Sequence, residues 1–223
     1  MALPIENKPL AFHDHSRAER LADAVIHIIG VPTGIIAAII ILVRIAANGT
    51  PISITAVAIY AFGLVGMLSA SAAYQMSQPG LLKERLRRLD RSMIFVMIAG
   101  TYTPISATVL YSRHGIALCV LLWSLAALGI FLSLRYPRRF ERLTFALYLA
   151  MGWMLVALLR ECFILLSGIT LALIVAGGLT YTIGAIIQSF PSLKFHNPVW
   201  HALVLTAAGL QYAAISLQLT GGL

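Results

Sequence analysis

The sequence predicts an all-α membrane protein, a bundle of seven transmembrane helices, and three observations carry that prediction. The chain is 60% hydrophobic and only 11% charged, with a mean hydropathy of +0.90, outside ordinary soluble usage. Its apolar residues fall in seven runs long enough to cross about 30 Å of hydrocarbon, which takes roughly 20 helical residues. Those runs are continuous, whereas barrel strands would alternate over about ten residues.

Taken in order, the spans are residues 25–43, 54–76, 92–111, 115–134, 143–159, 162–187 and 198–219. Residues 1–24 carry charges and no apolar core, so they read as an amino-terminal segment ahead of a retained first span, not as a removable signal peptide. Span two ends in the polar stretch SASAAYQM. Span three follows the basic run LLKERLRRLDR and holds Thr101, Thr103 and Pro104, where proline predicts a packing kink and the hydroxyls can re-satisfy freed backbone groups. Spans four and five are bounded by short arginine-bearing loops. Span six contains Gly177 and Gly178, which allow close helix approach. Span seven opens with Pro198, suited to a helix start. Trp123, Trp153 and Trp200 read as packing or interfacial residues. With short connections throughout, residues 1–223 read as one domain.

Orientation follows from the sixteen lysines and arginines. Those of the amino-terminal segment and of the second, fourth and sixth loops fall on one side, against only Arg44, Arg113 and Arg160 on the other. Positively charged loops stay inside, so the amino terminus is expected in the cytoplasm and the carboxyl terminus outside. The net charge of +8 is then a topology signal, not a nucleic-acid footprint. A secondary role for LLKERLRRLDR against anionic headgroups is compatible with it. Cys119 and Cys162 lack metal-type spacing and read as small buried thiols.

Given this orientation, the polar residues inside spans gather at the cytoplasmic depth. Ser71 and Gln75 end span two, four residues apart on one face. Asp90 stands at the start of span three, and Asn197 and His201 lie four apart at the start of span seven. Glu19, Asp23 and His27 repeat every four residues along span one. Intramembrane polar groups mark either a functional site or an interhelical hydrogen-bond cluster. For Asp90 a helix amino-terminal cap is a third reading. Gln211, about 15 Å along the helix from His201, is too far to share its contacts.

These residues are where the chain resembles a known family. The acid and His27 before IIG, the serine-rich end of span two, RRLDRSMIFVMIAGTYTP, LTFALYLAMGWM and VWHALVL together resemble the hemolysin III group of the progestin and adipoQ receptor family, which includes adiponectin receptors. The resemblance implies seven helices with a cytoplasmic amino terminus and a zinc ion held by one histidine of span two and two of span seven. A serine of span two and an aspartate of span three would assist through water. It implies lipid-amide hydrolysis for some members, and receptor, membrane-homeostasis or cytolytic roles for others.

Carried over by position, Ser71, Asp90 and His201 match, but Gln75 and Asn197 stand where two zinc histidines are expected. His201 is the only retained family ligand. His196 is rotated about 140° from its face and is expected in the loop. Zinc binding is therefore expected to be weakened or lost, leaving the polar cluster in place. The first reading is an inner-membrane protein of lipid homeostasis or sensing, with membrane lipids as partners or ligands and no nucleic acid. A metal-dependent amidase using Asp90, His201 and a third ligand such as His27 is the enzyme alternative. A pore-forming cytolysin is the third, although no span offers a charged channel lining.

Overall fold

The computed structural model describes residues 16–221. Among these, seven helical segments are long and apolar enough to cross a membrane, and there is no strand. Helix α1 runs Arg17–Asn48, α2 Pro51–Met76, α3 Leu81–Pro104, α4 Arg113–Arg135, α5 Glu141–Gly152, α6 Leu159–Leu165, α7 Gly168–Gln188 and α8 His196–Thr220. α5 and α6 are two pieces of one span, joined by a 3-10 segment at Met154–Leu158. Residues 1–15 of the expected amino-terminal segment, with Lys8, and Leu223 lie outside the described part.

Several boundaries differ from the hydropathy reading, each for a local reason. α1 starts at Arg17, well before residue 25, because Ser16 and Glu19 form a capping box: the Ser16 hydroxyl accepts from the Glu19 amide at 3.2 Å, and the Glu19 carboxylate accepts from the Ser16 amide at 2.8 Å. α3 starts at Leu81, so LLKERLRRLDR is helix and not loop. Its Glu84, 4% exposed, accepts two hydrogen bonds from Arg87 at 3.0 and 2.8 Å and pairs with Arg88 and Arg138 at 3.5 Å. Part of the expected headgroup-facing charge is thus spent inside the protein, tying α3 to the α4–α5 turn. Span five continues to Leu165, since Arg160 and Glu161 are helical. The break falls instead at Ser167, whose hydroxyl caps α7 by accepting from the Thr170 amide at 3.1 Å.

The adjacent pairs α1–α2, α2–α3, α3–α4, α7–α8 and α1–α8 form most of a ring. Close approach of α2 and α3 depends on glycine: a Cβ on Gly63 would lie 3.3 Å from the backbone of Met97. Tyr60, Phe95, Leu122, Met151 and Ile215 are fully buried between the helices. The outward faces are apolar as well, with Ile28, Phe62, Val120, Phe163, Ile164 and Ile169 each at least 60% exposed. An apolar surface of that extent needs hydrocarbon around it, so this is an integral membrane protein.

Two irregular segments carry local hydrogen bonds that stabilise them. After Pro104 the backbone widens into a π turn over Ile105–Val109, while Thr103 donates to the Ala99 carbonyl at 2.7 Å and Thr108 to that of Pro104. At the α5 break, the Tyr102 hydroxyl donates to the Gly152 carbonyl at 2.6 Å and accepts from the Leu155 amide at 3.2 Å. Trp123 and Trp153 donate to Thr103 and Thr182, each at 3.1 Å, so both act as packing residues. Cys119 and Cys162 are free thiols, and Cys162 is buried.

Candidate polar site at the head of an intramembrane cavity

The starts of α1, α3 and α8 and the end of α2 meet at one end of the bundle. Glu19 fixes the alignment of α1 and α8 by accepting from the Phe195 amide at 2.8 Å. That bond holds Phe195 at φ 60, a left-handed conformation a bulky residue rarely adopts, and so sets where α8 begins. His196 is the first residue of α8 rather than a loop residue, with Nδ1 2.9 Å from the Leu193 carbonyl oxygen.

One turn further in, the expected polar residues converge. Asp23, 6% exposed, has one carboxylate oxygen 2.5 Å from Nδ1 of His201 and the other accepting from the Asn197 amide at 3.2 Å. Asn197 in turn accepts from Gln188 at 3.2 Å. The carboxylate selects the Nδ1–H form of His201 and turns Nε2 toward Ser71, whose Oγ is 3.4 Å away. The rings of His27 and His201 lie with centroids 4.6 Å apart. His27, 5% exposed, leaves Nε2 with no hydrogen-bond partner, 3.8 Å from Asp23.

Asp90 reaches the cluster through Ser71 and faces His201. It lies inside α3, well past the helix start at Leu81, so it is not an amino-terminal cap. Gln75 is half-buried and lines the same space. Gln188 was not visible as a site residue in the sequence; a lone glutamine closing an apolar span was its one signal.

The cluster heads a cavity of about 660 Å³. His27, Ser71, Gln75, Asp90, Asn197 and His201 form its polar end, with Arg91 and Arg142 beside them. Met97, Ile98, Trp153 and Leu205 line its apolar body, which extends to Gln211, where that side chain lies over Gly177 and donates to the Ile174 carbonyl at 3.1 Å. From His201 to Gln211 the cavity follows α8 for about 15 Å.

The residues can be tested against zinc. The three-imidazole set implied by resemblance is absent, since Gln75 and Asn197 supply carboxamides and Asn197 is committed to Asp23 and Gln188. Asp23, His27 and His201 do bring ligand atoms within 4.8 Å of one another, a two-histidine, one-carboxylate donor set. In this arrangement Asp23 and His201 are at hydrogen-bond distance, whereas two ligands of a tetrahedral zinc with bonds of about 2.0–2.1 Å stand roughly 3.3 Å apart, so the two side chains would have to part to take an ion.

The profile of the family described as "Haemolysin-III related" matches residues 16–212, the stretch that holds α1 through most of α8. A protein of Bacillus subtilis (strain 168) named hemolysin-3 homolog is 30% identical over 197 residues, covering 88% of this chain and 92% of its own. Hemolysin-3 of Bacillus cereus is 29% identical over 197 residues, covering 88% and 90%. With the seven spans and the matched region running from the capping box of α1 past His201, the chain belongs to the haemolysin-III-related family.

Proposed function

We propose that this protein binds a single-chain lipid, polar head at the Asp23, His27, Ser71, Gln75, Asp90, Asn197 and His201 cluster and acyl chain in the cavity, and serves membrane lipid homeostasis or sensing. The carrying observation is the cavity itself: about 660 Å³, polar at one end and apolar along about 15 Å beyond it. Such a space matches an amphiphile in both chemistry and volume, since ligand sites of this size are mostly apolar with a few convergent polar groups. Zinc takes no part in this reading, which needs only the side chains of the cluster and the cavity.

The experiment is native mass spectrometry of the protein released from mild detergent. Wild type is expected to retain acyl lipid. Gly178→Phe, which places a ring in the cavity beside Trp153, is expected to reduce the retained fraction at least tenfold. Lipid-free wild type would sink the proposal.

We further propose that the polar end faces the cytoplasm of a bacterial inner membrane, as the one-sided lysines and arginines support. A reporter active only outside the cytoplasm should work when fused after Leu223 and fail when inserted near Lys83. The opposite pattern would invert the topology.

A further inference from the structure

We propose that Ser71, His201 and Asp23 form a nucleophilic triad, which makes this chain a metal-independent hydrolase for the acyl carbonyl of a lipid ester or amide. The inference rests on the lipid-binding reading of the cavity and adds a reaction to it.

Three helices supply the triad. Ser71 of α2 lines the cavity with Oγ 3.4 Å from Nε2 of His201 on α8. Nδ1 of the same ring is 2.5 Å from Asp23 of α1. Nucleophile, base and orienting carboxylate thus stand in the order that acyl transfer requires, an order that recurs on unrelated folds and is recognised by geometry. All three are at least nine-tenths buried. The distance to Ser71 is at the long end of a hydrogen bond, which is usual before substrate tightens the contact.

Asp23 is more than a neighbour. Asn197 holds its second oxygen, so the carboxylate is fixed in position and its charge is available to stabilise an imidazolium. His27 is a second, independent observation. Its Nε2 is buried, unpartnered and on the cavity wall, where a neutral imidazole N–H can donate to an oxyanion. The Gln75 amide, one turn from Ser71 on the same face, offers a further donor.

The reaction balances with water as the only co-reactant. Ser71 Oγ attacks the acyl carbon while its proton passes to His201 Nε2, and the carbonyl electron pair moves onto oxygen. Collapse of that oxyanion breaks the bond to the leaving alcohol or amine, which takes the proton from Nε2. Water then attacks the acyl-serine ester, giving its proton to His201. Release of a carboxylic acid returns that proton to Oγ.

Asp90 is the rival base, since it lies beside the same hydroxyl on the cavity wall. The test therefore separates the two. Purified protein is treated with a long-chain alkyl fluorophosphonate, and the adduct is located by peptide mass spectrometry. Expected are one adduct per chain at Ser71, no loss on prior EDTA treatment, and none on Ser71→Ala. His201→Gln and Asp23→Asn should slow labelling by about a hundredfold or more, and by more than Asp90→Asn does. Should His201→Gln fail to fold, Asp23→Asn decides: slowed labelling supports the triad, and labelling at the wild-type rate overturns it. An unlabelled Ser71, or labelling that depends on Asp90 and not on His201, also overturns it. A chain that retains acyl lipid but stays unlabelled sinks the triad alone; one that retains no lipid and stays unlabelled sinks both readings.

Discussion

Replacing Asp23 by alanine is expected to lower the stability of the bundle by several kcal/mol. The carboxylate accepts from two buried groups, the His201 ring and the Asn197 amide, at 2.5 and 3.2 Å. Without it, both donors stay inside the protein with no acceptor, and each buried unsatisfied donor costs about 1–3 kcal/mol. Both groups are largely buried, His201 7% and Asn197 6% exposed, so water reaches them only through the cavity. Asp23→Asn keeps one acceptor oxygen and should recover part of the loss. The measurement is thermal or denaturant unfolding in detergent, for Asp23→Ala, His201→Ala and the double variant. Groups in one hydrogen-bond network are non-additive by about 0.5–3 kcal/mol. Additive losses, or an unchanged midpoint for Asp23→Ala, would mean that α1 and α8 do not share this contact.

Glu84→Ala is the second large effect, in the first turn of α3. Glu84 is the carboxylate for Arg87, which is itself only 8% exposed. Removing one partner of a buried ion pair typically costs 3–5 kcal/mol, because the charge left behind is uncompensated. Arg88 and Arg138, both more exposed, lose little individually. The variant is expected to unfold at markedly lower temperature, while Arg138→Ala lowers the stability by about 1 kcal/mol or less. Replacing Glu84 and Arg87 together by leucine and methionine should restore much of the loss, since exchanging a buried pair for apolar side chains is often neutral. A Glu84→Ala protein as stable as wild type would place this pair in solvent.

The spans were legible because hydrocarbon thickness and apolar run length report the same quantity. Their ends were not, because hydropathy does not register a charged residue that is helical and paired inward. Leu81 to Arg91 reads as a basic loop until Glu84 is seen to gather three arginines. Ser16 and Glu19 carry the capping-box pattern in the sequence itself, but a hydropathy boundary set by the apolar run does not register it. The polar depth of Ser71, Asp90, Asn197 and His201 could be derived from span direction alone, and i,i+4 spacing put Asp23 and His27 on one face. What spacing could not supply was the partner: Asp23 and His201 are 178 residues apart, and only the α1–α8 contact makes them neighbours. For the same reason Asp90 could be read as a cap, since the sequence does not say where α3 begins.

The length of α1 fixes where this site stands relative to solvent and oil. Its 32 residues extend about 48 Å, roughly 18 Å more than the hydrocarbon layer. The stretch without charged side chains runs from Ala24 to Val43, so Asp23 and His27 bracket the boundary between the two phases. On the proposed reading, an acyl chain lodged in the cavity stays at hydrocarbon depth while its carbonyl lies level with Ser71, and water meets that carbonyl from the headgroup layer without crossing hydrocarbon. Two partitioned reactants would then meet at the one depth that both can reach.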